Sequence, residues 1–128
     1  MPDETYVNVR YIVDNVDKAV EFYTTHLGFS LLASYGPAFA DVARGNLRLL
    51  LSGPASSAGR TLPDGRQPGP GGWNRIHLLV DDIDAEVKRL RGAGVPFRSD
   101  VVKGPGGSQI LMEDPAGNPI ELFQSAAR

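Results

Sequence analysis

The segment Val9-Arg-Tyr-Ile-Val-Asp-Asn-Val-Asp-Lys-Ala-Val20 returns as Ile76-His-Leu-Leu-Val-Asp-Asp-Ile-Asp-Ala-Glu-Val87. Val13 and Val80 are 67 positions apart, as are Asp17 and Asp84. Each copy passes from a strand-like apolar run, through an acidic or amide cap, into apolar residues at helical spacing. A chain that writes this unit twice is built as two halves, and one half alone is too small to bury both its helix and a sheet face. The constant shift lets one half be read against the other, position by position.

In the first half, Tyr6 to Val13 reads as a strand with Asn8 and Arg10 on one face and Val9 and Tyr11 on the other. The helix after it has Asp14 or Asn15 as N-cap, an apolar stripe of Val16, Val20, Tyr23 and Leu27, and Gly28 at the C′ position. Strands over 29–35, 39–43 and 47–51 follow, parted by Gly36-Pro37 and Arg44-Gly45-Asn46. The second half repeats the order: a strand from Arg75 to Val80, a cap at Asp81 or Asp82, a stripe of Ile83, Val87 and Leu90, and closing glycines Gly92 and Gly94. Its three further strands are expected over 97–102, 108–113 and 119–124, with a turn at Asp114-Pro-Ala-Gly117. The expectation is an α+β protein of two βαβββ modules, residues 5–52 and 73–125, in one domain spanning 1–128.

Residues 53–72 hold six glycines and four prolines and no usable period, so they read as loop. A flexible linker between the halves is the plainer expectation. Arg60, Asp64, Arg66 and the adjacent Trp73 leave open a functional lid, since a spacer needs none of them.

A formal net charge of −2 and the absence of any Lys/Arg block argue against nucleic acid or an anionic membrane as partner and point to a small organic ligand. Zero cysteines exclude disulfides, thiolate catalysis and Cys-based metal sites, and suit a reducing compartment. The opening Met1-Pro-Asp-Glu-Thr-Tyr6 has neither a basic nor an apolar leader region, so a soluble, cytoplasmic protein is expected. Gly104-Pro-Gly-Gly107 is followed by a strand pattern, not a helix, and offers no nucleotide site.

Two signatures carry a family resemblance: Asn15-Val-Asp-Lys-Ala-Val-Glu-Phe-Tyr23 with His26-Leu-Gly-Phe29, and Glu113-Asp-Pro-Ala-Gly-Asn-Pro-Ile-Glu-Leu-Phe123. They resemble the vicinal oxygen chelate superfamily of glyoxalases, bleomycin-resistance proteins and extradiol dioxygenases. The resemblance spans essentially the whole chain and implies a curved, half-open β cup, usually in a homodimer. It implies no single chemistry.

Metal-using members of that family carry ligands on the first and last strands of each module. The matching positions here are Asn8, Leu49, Arg75 and Glu121, with Leu49 placed by aligning Gly117-Asn118 on Gly45-Asn46. Arg48 or Leu50 would serve no better in its place. Leucine offers no lone pair and arginine brings a fixed positive charge, so two of the four positions cannot hold a cation and no metal cofactor is expected. Arg75 is expected to replace the ion and pair with Glu121, or else to point to solvent as a strand-end arginine. Arg10 and His77 share the faces of Asn8 and Arg75 and obey the shift of 67, which gives a polar lining suited to carboxylate, phosphate or carbonyl oxygens. For His77 a hydrogen-bonded core position is the alternative. His77 and Glu121 with Asn8 or Gln109 would make a poor metal site.

Three functions remain in play. The first is metal-independent binding of a small polar or aromatic molecule, with Trp73, Tyr11 and Phe123 as apolar walls and Tyr11 alternatively packed on a helix. The second is a metal-free lyase or isomerase in which Glu121 or His77 moves a proton while Arg10 and Arg75 stabilise an oxyanion. The third is a metal-dependent glyoxalase or dioxygenase.

Overall fold

A computed structural model describes residues 5–126; Met1 to Glu4, read above for a leader, and the last two residues lie outside them. The elements run β1 (Val7–Ile12), α1 (Val16–His26), β2 (Ser30–Tyr35), β3 (Phe39–Arg44), β4 (Leu47–Ser52), β5 (Ile76–Leu79), α2 (Ile83–Gly92), β6 (Val102–Gly104), β7 (Gly107–Glu113) and β8 (Pro119–Ser125). This is βαβββ twice, and the chain divides after Gly71 into two compact units. Among the described residues no helix is long and apolar enough to cross a membrane.

The repeat is visible at the caps. Asn15 Oδ1 accepts from Lys18 N at 3.0 Å and Asp82 Oδ1 from Ala85 N at 3.1 Å, so the second of each candidate pair caps its helix. The 67-residue shift relates them. Gly28 and Gly94 then turn the chain out of the helices in the left-handed region.

In the first unit the sheet order is β1-β4-β3-β2, with β1 parallel to β4 and the other pairs antiparallel. One face is covered by α1, which buries Val16, Ala19, Phe22 and Tyr23 against Val42, Leu49 and Leu51. Ala19 and Phe22 do the work expected of Val20, which is only half-buried. The second unit repeats the sheet as β5-β8-β7-β6, with Leu78, Ile110, Met112, Ile120 and Leu122 buried under Ile83, Val87 and Leu90 of α2.

The strand expected over 97–102 is broken. Phe97 makes one bridge to Met112, and β6 begins only at Val102. Between them the amide of Leu111 donates to Ser99 Oγ at 3.1 Å instead of to a backbone carbonyl, and Asp100 turns out to Arg91. A side-chain acceptor substitutes for the ladder and the chain leaves the sheet.

Residues 53–71 belong to the first unit and are tied to themselves. Ser56 Oγ donates to Gly53 O at 2.6 Å and accepts from Gly59 N at 3.1 Å, and a Cβ at Gly59 would stand 2.2 Å from Gly53 O. Farther on, Leu62 N donates to Arg66 O at 2.8 Å, Asp64 pairs with Arg66, and Thr61 bonds Gln67. Asp64 and Arg66 therefore shape a turn in a loop with its own internal hydrogen bonds.

Candidate functional site

Each sheet has a second face, away from its helix, where the polar residues gather. In the second unit Arg75 enters just before β5, and Nε and Nη2 donate to Glu121 Oε1 at 3.1 and 2.9 Å. Glu121 is buried at 7% exposure, while the Arg75 side chain keeps 28% of its surface. The Cα partner of Glu121 is His77, whose Nε2 lies 3.5 Å from Glu121 Oε2, at the outer limit of a hydrogen bond. The His77 side chain is 46% exposed and its ring leans on Phe123 at 4.9 Å, so it is no core histidine. Gln109 lies across from Phe123 on the same face, half-buried.

Trp73 closes one end of this face. Its indole is under the Arg98 guanidinium at 4.8 Å, its carbonyl accepts from Arg75 Nη1 at 3.2 Å, and the residue is 69% exposed. Arg98 also donates to Glu113 Oε2 at 2.6 Å and to the carbonyls of Gly72 and Gly117 at 2.7 and 2.9 Å. Trp73 is thus fixed to the second unit. Arg98 and Glu113 were not among the sequence candidates; the available signal was alternation, which sets Arg98 opposite Phe97.

On the first unit, Asn8 Oδ1 accepts from Arg48 Nε at 2.9 Å, and Arg10 Nη1 donates to Ser52 Oγ at 2.9 Å. Arg48 also lies 3.8 Å from Asp41 Oδ2 and 5.1 Å over the Tyr6 ring. Asp41 and Arg48 were missed as site residues. A lone carboxylate in Phe39-Ala-Asp-Val-Ala43 is the sequence signal for the first.

Leu49 is corrected. It pairs with Val9, is fully buried on the α1 side, and cannot line the open face. The residue opposite Arg10 is Leu50, as Glu121 is opposite His77, so the counterparts are 71 positions apart. Asp114 holds Asn118 inside its turn, accepting from Asn118 N at 2.9 Å and Asn118 Nδ2 at 3.1 Å. Aligning the two Gly-Asn pairs therefore runs one residue ahead of the sheet register. Tyr11 is 7% exposed and packs in the core, as the reading that sets it on the face opposite Arg10 expects.

The donor set suits a cation poorly. Arg75 supplies no lone pair and takes one oxygen of Glu121, Leu50 supplies nothing, and one imidazole nitrogen with one carboxylate oxygen is left. Among the described residues no three His, Asp or Glu are grouped to hold a metal. A hollow of about 530 Å³ between the last turn of α2 and residues 95–100 contains none of the candidate residues.

The family model for the Glyoxalase/Bleomycin resistance protein/Dioxygenase superfamily matches residues 5–122. Among solved structures, lactoylglutathione lyase from Agrobacterium tumefaciens is similar at 22% identity and TM-score 0.74, covering 97% of this chain and 96% of that one. TnmS3, an antibiotic binding protein from Streptomyces sp. CB03234, is similar at 30% identity and TM-score 0.72, covering 94% and 95%. A superfamily member from Sphaerobacter thermophilus DSM 20745 stands at 28% and 0.74, covering 94% and 96%. No curated protein matches significantly.

Proposed function

The chain belongs to the Glyoxalase/Bleomycin resistance protein/Dioxygenase superfamily, and from that premise we propose that it is a metal-independent protein that binds a small polar or aromatic organic molecule. The observation that carries this reading is the Arg75–Glu121 pair at 2.9 Å. A guanidinium stands among the family's ligand positions, so charge on this face is already balanced without an ion. Trp73, held flat by Arg98, and Phe123 beside His77 offer planar apolar surface next to that pair. The similarity to an antibiotic binding protein at 30% identity supports the binding of a small organic molecule. We place the protein in the cytoplasm, as a homodimer.

Two measurements test it together. Elemental analysis of purified protein is expected to find no stoichiometric Ni, Zn, Fe or Mn, and a thermal-shift panel of hydrophobic antibiotics, phenolics and keto acids is expected to give at least one compound that raises Tm by mass action. Stoichiometric metal would sink the reading.

One observation favours a second reading, metal-free proton transfer. His77 is exposed, and its Nε2 is 3.5 Å from a carboxylate oxygen, close enough for a proton to be handed on with small movement. Under this reading Glu121→Gln abolishes turnover of whatever substrate is found, and retention of full activity rejects it.

A further inference from the structure

Trp73 is the chain's single tryptophan, and it is 69% exposed. It follows Gly71 and Gly72, both in the left-handed region at φ 105° and 87°. An exposed indole on such a lead-in segment is free to swing unless something holds it, and here it is fastened at three points. The Arg98 guanidinium stands 4.8 Å from the centre of its ring, Arg98 Nη1 donates to Gly72 O at 2.7 Å, and Arg75 Nη1 donates to Trp73 O at 3.2 Å. Arg98 is itself fixed by Glu113 Oε2 at 2.6 Å and Gly117 O at 2.9 Å, with only 18% of its side chain exposed. Since most of the tryptophan stays in water, this anchoring does not serve the core.

One face of the indole lies under Arg98, and a residue so covered that is still 69% exposed presents its other face to solvent. The groups around it decide what that face accepts. A cation already engages the ring quadrupole, and the carboxylates of Glu113 and Glu121 are paired with Arg98 and Arg75, so a second cation finds no counter-charge. Arg75 is different. Among the described residues it donates to Glu121 Oε1 from Nε and Nη2 and to Trp73 O from Nη1, which engages three of the five N–H groups of a guanidinium. Its side chain is 28% exposed, so two N–H groups remain for an acceptor oxygen beside the indole.

We propose that the open face of Trp73 is a stacking platform for a planar aromatic molecule that carries an exocyclic oxygen acceptor and no positive charge. Arg98 is the positioning residue of that platform, and Arg75 donates to the ligand oxygen. This rests on the small-molecule-binding reading and adds a ligand class to it. The anchored ring gives the ligand a surface that needs no ordering on binding, and the unused N–H groups set which edge of the ligand faces Arg75.

Because Trp73 is the only tryptophan, its emission reports this platform alone. The full chain is titrated with 2-acetonaphthone, 2-naphthoate, 2-ethylnaphthalene and 2-naphthylmethylammonium, by calorimetry and by protection of Trp73 from acrylamide quenching. The two oxygen compounds are expected to bind about tenfold more tightly than the ammonium and several-fold more tightly than ethylnaphthalene, and to protect Trp73. Trp73→Leu is expected to weaken the oxygen compounds about tenfold. Arg98→Met is expected to lower the emission anisotropy of Trp73 and to weaken all aromatic ligands together, a combination that a purely structural role does not produce. Should Arg98→Met not fold, Arg98→Met/Glu113→Leu removes the stranded carboxylate and is expected to show the same two effects. Arg75→Met/Glu121→Leu is expected to bring the oxygen compounds level with ethylnaphthalene. The proposal is overturned by an ammonium that binds as tightly as the ketone, by affinities that survive Trp73→Leu, or by an anisotropy unchanged in the Arg98 variants. It is also overturned if quenching falls with rising protein concentration in the absence of ligand, since a second copy then covers the indole. A compound that raises Tm without protecting Trp73 removes the platform and leaves the binding function standing; silence from every compound removes the function as well.

Discussion

At the scale of single residues, the energetics of the Arg75–Glu121 pair follow from its burial. Glu121 is 7% exposed, so removing Arg75 strands a desolvated carboxylate, whereas Arg75 itself keeps contact with solvent. Arg75→Met alone is expected to cost about 2 kcal/mol of unfolding free energy, below the range for a fully enclosed pair because of that contact. The double variant Arg75→Met/Glu121→Leu is expected to return to within about 1 kcal/mol of wild type, since both charges leave together. Urea titration of the four proteins measures the cycle, and a loss in the double variant equal to the sum of the two single losses would show that the pair has no coupling. These two residues were legible in the sequence because the repeat and the family signature place them independently. Asp41 was not, because β3 has no repeated motif to read it against and its burial depends on neighbours across two strands.

At the scale of elements, legibility followed local chemistry. Both helices could be bounded to within a residue because Asn15, Asp82, Gly28 and Gly94 act on their own backbone neighbours. The 97–102 strand failed because Ser99 takes the Leu111 amide, a contact 12 residues away that no period signals. The internal contacts of the loop after β4 were illegible for a similar reason: its glycines look like entropy in a sequence, but a Cβ at Gly59 would meet Gly53 O at 2.2 Å. Gly59→Ala, whose Cβ would meet that oxygen at 2.2 Å, is expected to lose about 1–3 kcal/mol through overpacking against backbone. Limited proteolysis of the variant checks where the loss falls, with new cleavage expected inside 53–71. A variant as resistant as wild type would favour the flexible-linker reading.

At the scale of the whole molecule, the outer strands of both sheets expose apolar side chains. β1, β2 and β5 each end a sheet, and they expose Val7 at 59%, Tyr35 at 65% and Leu79 at 60%, with Leu31 and Leu32 at 49% and 45% where β2 bulges. Exposed apolar side chains on terminal strands favour association with another copy. The homodimer proposed above gives these side chains a partner, and its consequence is quantitative. Sedimentation equilibrium is expected to find a dimer at about 10 μM, with Tm rising as protein concentration rises, because dimerisation stabilises by mass action. Val7→Lys/Leu79→Lys places charge on two of those strands and is expected to shift the equilibrium to monomer and remove the concentration dependence of Tm. A wild-type monomer at about 100 μM would show that the outer strands need no second copy. A dimer untouched by the double lysine variant would move the contact to β2, where Leu31, Leu32 and Tyr35 are the next residues to charge.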